Sequence, residues 1–286
     1  TANVVVGLSS DDTTEGTVSP ASVTFTSGNW STPQTVTATG VNDDLDDGDI
    51  AYSIVTAAAT SGDTNYNGLN PGDVAVTNTD NDASGFTVTP TSGLTTSEAG
   101  GTATFTVVLT AQPSADVSVG LSSSDTTEGT VSPASLTFTS ANWSTPQTVT
   151  VTGVDDVLSD GGAAYTVVTA AATSGDSSYN NVNPSDVSVT NTDNDTAGFT
   201  VSAISGNTTE AGGTATFTVQ LTTQPTADVS VGLSSNDLTE GTVSPASLTF
   251  TNGNWNTPQT VTMSGVDDAV DDGDVGYSIV TATATS

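Results

Sequence analysis

The chain is a tandem array, and that fact limits its fold more than any other feature of the sequence. The segment from Gly7 to Asp43 returns from Gly120 to Asp156 with only five differences, and returns again, more diverged, from Gly232. Trp30, Trp143 and Trp255 set the spacing at 113 and then 112 residues, and Tyr52, Tyr165 and Tyr277 repeat it. A period this long is that of a whole domain, well beyond the ~20–45 residues of a solenoid unit. The acidic sequence NTDND occurs at Asn78–Asp82 and Asn191–Asp195, and Gly-Phe-Thr-Val follows it after two residues each time. Boundaries drawn there divide the chain into unit 1 (1–82), unit 2 (83–195) and unit 3 (196–286). Only unit 2 spans a full period. Unit 1 lacks about its first 30 residues and unit 3 stops short of the counterpart of Asp176–Asp195, so the expectation is a window onto a longer array, with neither terminus a natural one.

Within unit 2 the apolar residues alternate. Ala103, Phe105, Val107 and Leu109 are separated by single residues, mostly Thr, and so are Val117, Val119 and Leu121, Leu136 and Phe138, and Val149 and Val151. A period of two marks half-buried strands. Adding Phe86 and Val88, Tyr165 and Val167, and Val187 and Val189 gives about seven strands, separated by Gly, Pro, Asn and Asp turns. No segment carries a helical apolar stripe, and Thr makes up about a fifth of the chain, which favours strand over helix. Seven short strands in a unit of this size predict an all-β fold: antiparallel two-sheet sandwiches of immunoglobulin-like type, repeated in tandem. One Trp per unit, as in Asn142-Trp143-Ser144, is read as a cap on the sandwich and not as a sugar platform, because so few aromatics are available to the core.

Composition then restricts the chemistry. The 286 residues contain no Lys, Arg, His or Cys and 32 Asp plus Glu, for a net charge of -32. An imidazole base, a thiolate, a Schiff-base lysine and a guanidinium anion clamp are all absent, which argues against an enzyme. Glu128 with Asp125 resembles a glycosidase pair, but the two recur in every unit with no cleft-forming insertion and are read as a polar turn. Nucleic acid and anionic lipid are excluded as partners by the sign of the charge. No apolar run approaches the ~20 residues of a membrane span.

The carboxylates concentrate at recurring places. After the strand ending at Val154 lie Asp155, Asp156 and Asp160. The same position holds Asp43, Asp44, Asp46, Asp47 and Asp49 in unit 1, and Asp267, Asp268, Asp271, Asp272 and Asp274 in unit 3. Each full period ends in a second cluster, Asp80 and Asp82 or Asp193 and Asp195. Two carboxylates ~4 Å apart repel by up to ~4 kcal/mol at an effective dielectric of ~20, and this chain has no cation to separate them. If folding brings loop and terminus together, something positive must join them. Calcium, with six to eight tolerant oxygen ligands, fits better than zinc. The order of residues is that of neither an EF-hand nor the glycine-rich nonapeptide repeat.

These residues together resemble the Calx-beta domain: Ser97-Glu98-Ala99-Gly100-Gly101 before TATFTVVLT, Ser124-Asp125 before GTVSPASLTF, Thr148 to Asp156 with its acidic loop and Tyr165, and the closing Asp193-Asn194-Asp195. The resemblance covers all of unit 2 and the parts of units 1 and 3 that are present. It implies an immunoglobulin-like sandwich that binds calcium at one end. Carried over, it nominates Glu98, Asp125, Asp155, Asp156, Asp160, Asp193 and Asp195 in unit 2. In unit 1 it nominates Asp12, Asp43, Asp46, Asp47, Asp80 and Asp82, and in unit 3 Glu210, Asp237, Asp267, Asp268, Asp271 and Asp272. Ser159 and Gly162 stand where the other units have Asp, so ligand number is expected to vary between joints. The reading is a structural rod segment of a large secreted or surface protein, extracellular, with calcium stiffening the joints. Its partners are neighbouring repeats and, in a fibre, identical chains. An adhesin module for a carbohydrate or protein is the alternative.

Overall fold

The computed structural model describes residues 2–271 and 273–286, and every regular element in it is a strand. Unit 1 contributes β1 (Val4–Ser10), β2 (Gly16–Ser19), β3 (Ser22–Phe25), β4 (Thr37–Gly40), β5 (Ile50–Thr56), β6 (Thr60–Ser61) and β7 (Val74–Asn78). Unit 2 contributes β8 (Phe86–Thr89), β9 (Leu94–Ser97), β10 (Thr102–Leu109), β11 (Val117–Ser123), β12 (Gly129–Ser132), β13 (Ser135–Phe138), β14 (Gln147–Gly153), β15 (Ala163–Thr169), β16 (Thr173–Ser174) and β17 (Val187–Thr192). Unit 3 contributes β18 (Phe199–Val201), β19 (Thr214–Leu221), β20 (Val229–Ser235), β21 (Gly241–Ser244), β22 (Ser247–Phe250), β23 (Gln259–Gly265) and β24 (Ile279–Thr281).

Unit 2 is a two-sheet sandwich. One sheet has the order β12-β14-β10-β8, the other β13-β11-β15-β17-β9, with β16 added to β11. The ten pieces reduce to the seven strands expected because two strands change sheets and are each counted twice, and because β16 is only a two-residue addition to β11. β8 passes to β9 through Thr89-Pro90, and β12 passes to β13 through Ser132-Pro133; both peptide bonds are cis. Proline has no N–H to give a ladder, so it sits where pairing stops on one sheet before resuming on the other. One pairing departs from the antiparallel expectation: β9 runs parallel to β17, with Leu94 opposite Val189 and Ser97 opposite Thr192. That contact joins the first strand of the unit to the last and closes the sandwich edge.

The alternating apolar residues face inward as their period requires. Phe105, Val107, Val117, Val119, Phe138, Val149, Val151, Val167, Val187 and Val189 form one buried cluster, against which Phe86, Val88 and Trp143 pack as partly buried neighbours. Trp143 thus lies over the core, and its carbonyl accepts the Leu109 N–H at 3.1 Å. Tyr179 is fully buried. Its hydroxyl donates to the Ala111 carbonyl at 2.6 Å and accepts the Ala111 N–H at 3.0 Å, which pins the loop before β17 to the turn between β10 and β11.

The same design is partial in the flanking units, and the exposures follow. Unit 1 has no counterparts of β8 to β10, so β4 pairs only with β2 and is fully exposed. Trp30 is 73% exposed and Tyr66, the equivalent of Tyr179, is 52% exposed. Unit 3 keeps a core of Val219, Leu221, Leu233, Leu248, Phe250 and Val261, with Trp255 packed on it. No strand like β9 is found among its described residues, since the parallel partner that β17 supplies in unit 2 has no counterpart there.

Candidate metal centre

The acidic groups of unit 2 gather at one pole because strand ends converge there. Four segments meet: the turn after β9, the turn between β11 and β12, the loop between β14 and β15, and the exit from β17. Short polar bonds fix each backbone. The Thr192 hydroxyl donates to the Thr96 carbonyl at 2.7 Å, and the Glu98 N–H to the Thr192 carbonyl at 3.1 Å. Asp193 accepts the Asp195 N–H at 2.6 Å with one oxygen and the Gly161 N–H at 2.8 Å with the other, tying the unit's end to the acidic loop. Asn194 donates its N–H to Glu98 at 2.9 Å and its amide to Asp155 at 3.1 Å.

Two carboxylate cages result. Glu98, Asp193 and Asp195 each bring one oxygen to within 4.8 Å of the others, and Glu128, Asp156 and Asp160 do the same. Unit 1 forms one such cage from Glu15, Asp43 and Asp47, at a cleft of about 210 Å³ also lined by Asp80 and Asp82. The glutamates are the buried members: Glu98 is 3%, Glu15 8% and Glu128 9% exposed. Asp195 Oδ2 is buried with no hydrogen-bond partner.

The titration directions record the same conflict. Burial raises the Glu98 carboxyl above its ordinary value, against the Asn194 N–H that lowers it, and Asp156, Asp193 and Asp195 push it further up. Asp195 is raised by loss of water and by the charges of Asp193, Asp155 and Asp156. Burial likewise raises Glu128, opposed by its bond from Asn191, with Asp160 and Asp156 adding to the rise. In unit 1, Asp47 and Asp82 are raised, each first by lost hydration and then by neighbouring aspartates. Asp193 and Asp80 go the other way, because each carboxylate accepts two backbone N–H groups. The pole therefore holds some carboxylates charged and places others where a charge is disfavoured without a countercharge. The donors are oxygen alone, a set that suits a hard cation such as calcium and offers nothing to zinc.

The nominated residues divide by what the structure does with them, and Asp80 and Asp82 line the unit 1 cleft without being cage members. Glu98, Asp193 and Asp195, Asp156 and Asp160, and Asp43 and Asp47 are cage members. Asp12, Asp125 and Asp237 instead close small turns, each accepting the N–H and hydroxyl of a threonine two residues on, Thr14, Thr127 and Thr239. These bonds lower all three carboxyls. Asp155 is held by Asn194, and Asp46 accepts the Ser84 N–H across the joint at 2.8 Å. In unit 3, Glu210, Asp267, Asp268 and Asp271 are exposed, Asp268 bonds the Val270 N–H at 2.8 Å, and Asp272 lies outside the described residues. Among the described residues of unit 3 no three-carboxylate cage forms: the segment equivalent to Asp193–Asp195 is not in the sequence, and the counterpart of the Glu128, Asp156 and Asp160 cage would include Asp272, which lies outside the described residues.

Glu15 and Glu128 were not foreseen. They sit in Thr-Glu-Gly-Thr-Val, which recurs at Glu240, and the sequence reads there as a solvated turn. Folding buries them next to an asparagine: Asn191, 1% exposed, donates to the Val154 carbonyl at 2.9 Å and to Glu128 at 3.4 Å, and accepts the Thr96 hydroxyl at 2.9 Å. Asn78 bonds Val41 and Glu15 in the same way, at 2.7 and 3.2 Å. The available signal was recurrence of the glutamate in all three units, one position before the glycine that opens the β12-type strand.

No protein-family model matches the chain, and no curated protein does. Among solved structures, it is similar to CBD12 from CALX1.2, at 17% identity over 70% of this chain and 80% of that one, with a TM-score of 0.30. The calcium binding domain CBD12 of CALX1.1 gives 17% identity, the same coverage and a TM-score of 0.31. Domains 4–9 of the surface layer protein SbsC align over 98% of this chain and 38% of theirs, at 16% identity and a TM-score of 0.31. The chain is an all-β array of immunoglobulin-like sandwiches.

Proposed function

We propose that this chain is a non-enzymatic structural segment of a secreted or surface protein, in which calcium fills the acidic pole of each unit and stiffens its joint with the next. The observation that carries the reading is the convergence of Glu98, Asp193 and Asp195. One of these carboxylates is 3% exposed, another has an oxygen that is buried and unpartnered, and the chain contains no basic side chain. A buried anion without a partner costs several kcal/mol unless a cation or a proton joins it. At neutral pH an oxygen-only cage favours the cation. When bound, calcium would supply charge neutralisation, held by Glu98, Asp193 and Asp195 in one cage and by Glu128, Asp156 and Asp160 in the other. Asp193 and Asn194 orient the first set, and Asn191 orients Glu128.

Carboxylates are nearly all this pole offers, which supports a structural role over sugar or peptide recognition. The test is calorimetric titration of the full chain with calcium, with small-angle scattering at both ends of the titration. Binding with a gain in length and rigidity is the expected result. Absence of binding would overturn the reading.

A further inference from the structure

None of the 32 Asp and Glu residues lies in a described strand, although they are the whole side-chain charge of the chain. The sheet faces are therefore neutral, and one of them is a regular grid of hydroxyls. On the outer face of the sheet β12-β14-β10-β8, Thr130, Thr152 and Thr102 stand side by side, and Ser132, Thr150 and Thr104 form the next row. All six are exposed or half-buried, and among the described residues no hydrogen bond within the chain uses their hydroxyls. Unit 3 repeats the second row as Ser244, Thr262 and Thr216, and in unit 1 Ser19 of β2 stands opposite Thr37 of β4. The other outer face of unit 2 is unlike it. Gly120 and Ala164 leave gaps there, and the Thr192 hydroxyl is already bonded to the Thr96 carbonyl.

A hydroxyl is both donor and acceptor, so a grid of hydroxyls matches an identical grid without a second kind of surface. Twisted sheets stack about 10 Å apart with their strands within ~30° of each other. The term against such a contact is repulsion between two chains of net charge -32. Strands such as β10 and β14 run about 24 Å, which leaves the middle of the face ~12 Å from the charged loops at either end, beyond the ~8 Å Debye length at physiological salt. Area then sets how many units must take part. Four strands ~4.8 Å apart, the outer two short, give a face of about 400 Å², half of the ~800 Å² per partner that a stable interface buries. One unit is too small, whereas two in tandem reach the required area.

We propose that this face is a lateral contact between copies of the chain: the hydroxyl grid of one copy stacks on the same grid of a second, with at least two successive units engaged. The partner is identical in sequence, and the contact lies apart from the acidic pole. It needs no calcium, so it stands or fails separately from the calcium reading.

The test is sedimentation equilibrium of the full chain in chelator, over a range of protein concentration, at ~0.15 M and ~1 M salt. The Debye length shrinks to about 3 Å at 1 M, so self-association is expected to tighten as salt rises. Thr150→Glu in unit 2 and Thr262→Glu in unit 3 each place a carboxylate in the middle of the grid, where a two-fold contact sets it against its own copy. Each should weaken association by about tenfold or more, and the two together should leave monomer. Thr166→Glu, on the opposite face, should leave association at the native level. Thr150→Val keeps the shape and leaves the facing hydroxyl without a partner, so it should weaken association as well, with native melting of unit 2 as the folding control. A chain that stays monomeric in ~1 M salt, or that associates only when calcium is added, overturns the proposal. Equal weakening by Thr166→Glu and Thr150→Glu overturns it too, as does a Thr150→Val chain that associates as tightly as the native one.

Discussion

Replacing Glu128 by Gln tests the electrostatics of the pole with opposite outcomes in calcium and in chelator. Glu128 is 9% exposed, and its nearest oxygen lies within 4.8 Å of oxygens on Asp156 and Asp160. Like charges at that separation repel by about 3 kcal/mol per pair at an effective dielectric of ~20. Asp160 is exposed and its share is screened, which brings the expected relief to about 1–2 kcal/mol. Glutamine keeps the shape and an acceptor for the Asn191 amide. In chelator at neutral pH, Glu128→Gln should therefore raise the melting temperature of the unit 2 transition, by about 4–8 °C for a domain of this size.

The pH dependence follows from the direction of the shift. Burial raises the Glu128 carboxyl in the folded state, so the folded chain holds its proton to higher pH than the unfolded chain does. The native protein then loses stability as pH climbs from the ordinary carboxylate value through the raised one, and the variant lacks that loss. The two should melt together at pH below the ordinary value and separate above it. Calcium reverses the order, because losing one ligand weakens binding by about tenfold or more, worth ~1.4 kcal/mol of stabilisation per tenfold at saturating ion. Calorimetric melting with and without chelator at several pH values is the assay. A variant that is less stable than native in chelator at neutral pH, or that binds calcium with native affinity, refutes the reasoning.

Other outcomes are expected from the same structure. Phe138→Ala removes a fully buried ring and should cost about 3–5 kcal/mol, while Phe25→Ala at the equivalent, half-exposed position of unit 1 should cost clearly less by denaturant unfolding. Asn191→Ala strips partners from the Thr96 hydroxyl, the Val154 carbonyl and Glu128 at once, and a loss of about 2–4 kcal/mol is expected, with weaker calcium binding by calorimetry. Gly129→Ala would drive a methyl into the Tyr165 hydroxyl, so unit 2 should lose about 1–3 kcal/mol, measured by its melting. The same overlap of Gly16 with Tyr52 and of Gly241 with Tyr277 makes the effect repeatable across units.

Much of the architecture was legible because period-2 alternation is a local property. Phe105, Val107, Val149 and Val151 are inside for the reason their spacing suggests: a strand shows every second residue to the same face, and Thr between them is content in water. The repeat length set the period, whereas the prolines read only as turns, and it took the structure to show that strands change sheets at Pro90 and Pro133. The parallel pairing of β9 with β17 was not legible, since register between residues nearly a hundred apart is settled by closure of the sandwich edge and not by either segment.

The candidate site divides along the same line. Absence of every cation and recurrence of paired aspartates are written in the chain, and they led to the expectation of a hard cation and to most of the carboxylates that the structure brings together. Whether a given carboxylate faces the cage or closes a turn depends on which backbone N–H lies within reach, and so Asp12, Asp125 and Asp237 went to their threonines while Glu128 went inward. Burial of a glutamate is decided by what packs over it, here Asn191 from the last strand, and no short-range pattern records that. The sequence by itself determined the composition of the pole, the period and the inward faces of the strands, because these rest on residue type and near-neighbour spacing. The tertiary structure alone decided which carboxylates meet, which are denied water, and that the loop carrying them also grips the next unit, because those depend on distant strands arriving at one place.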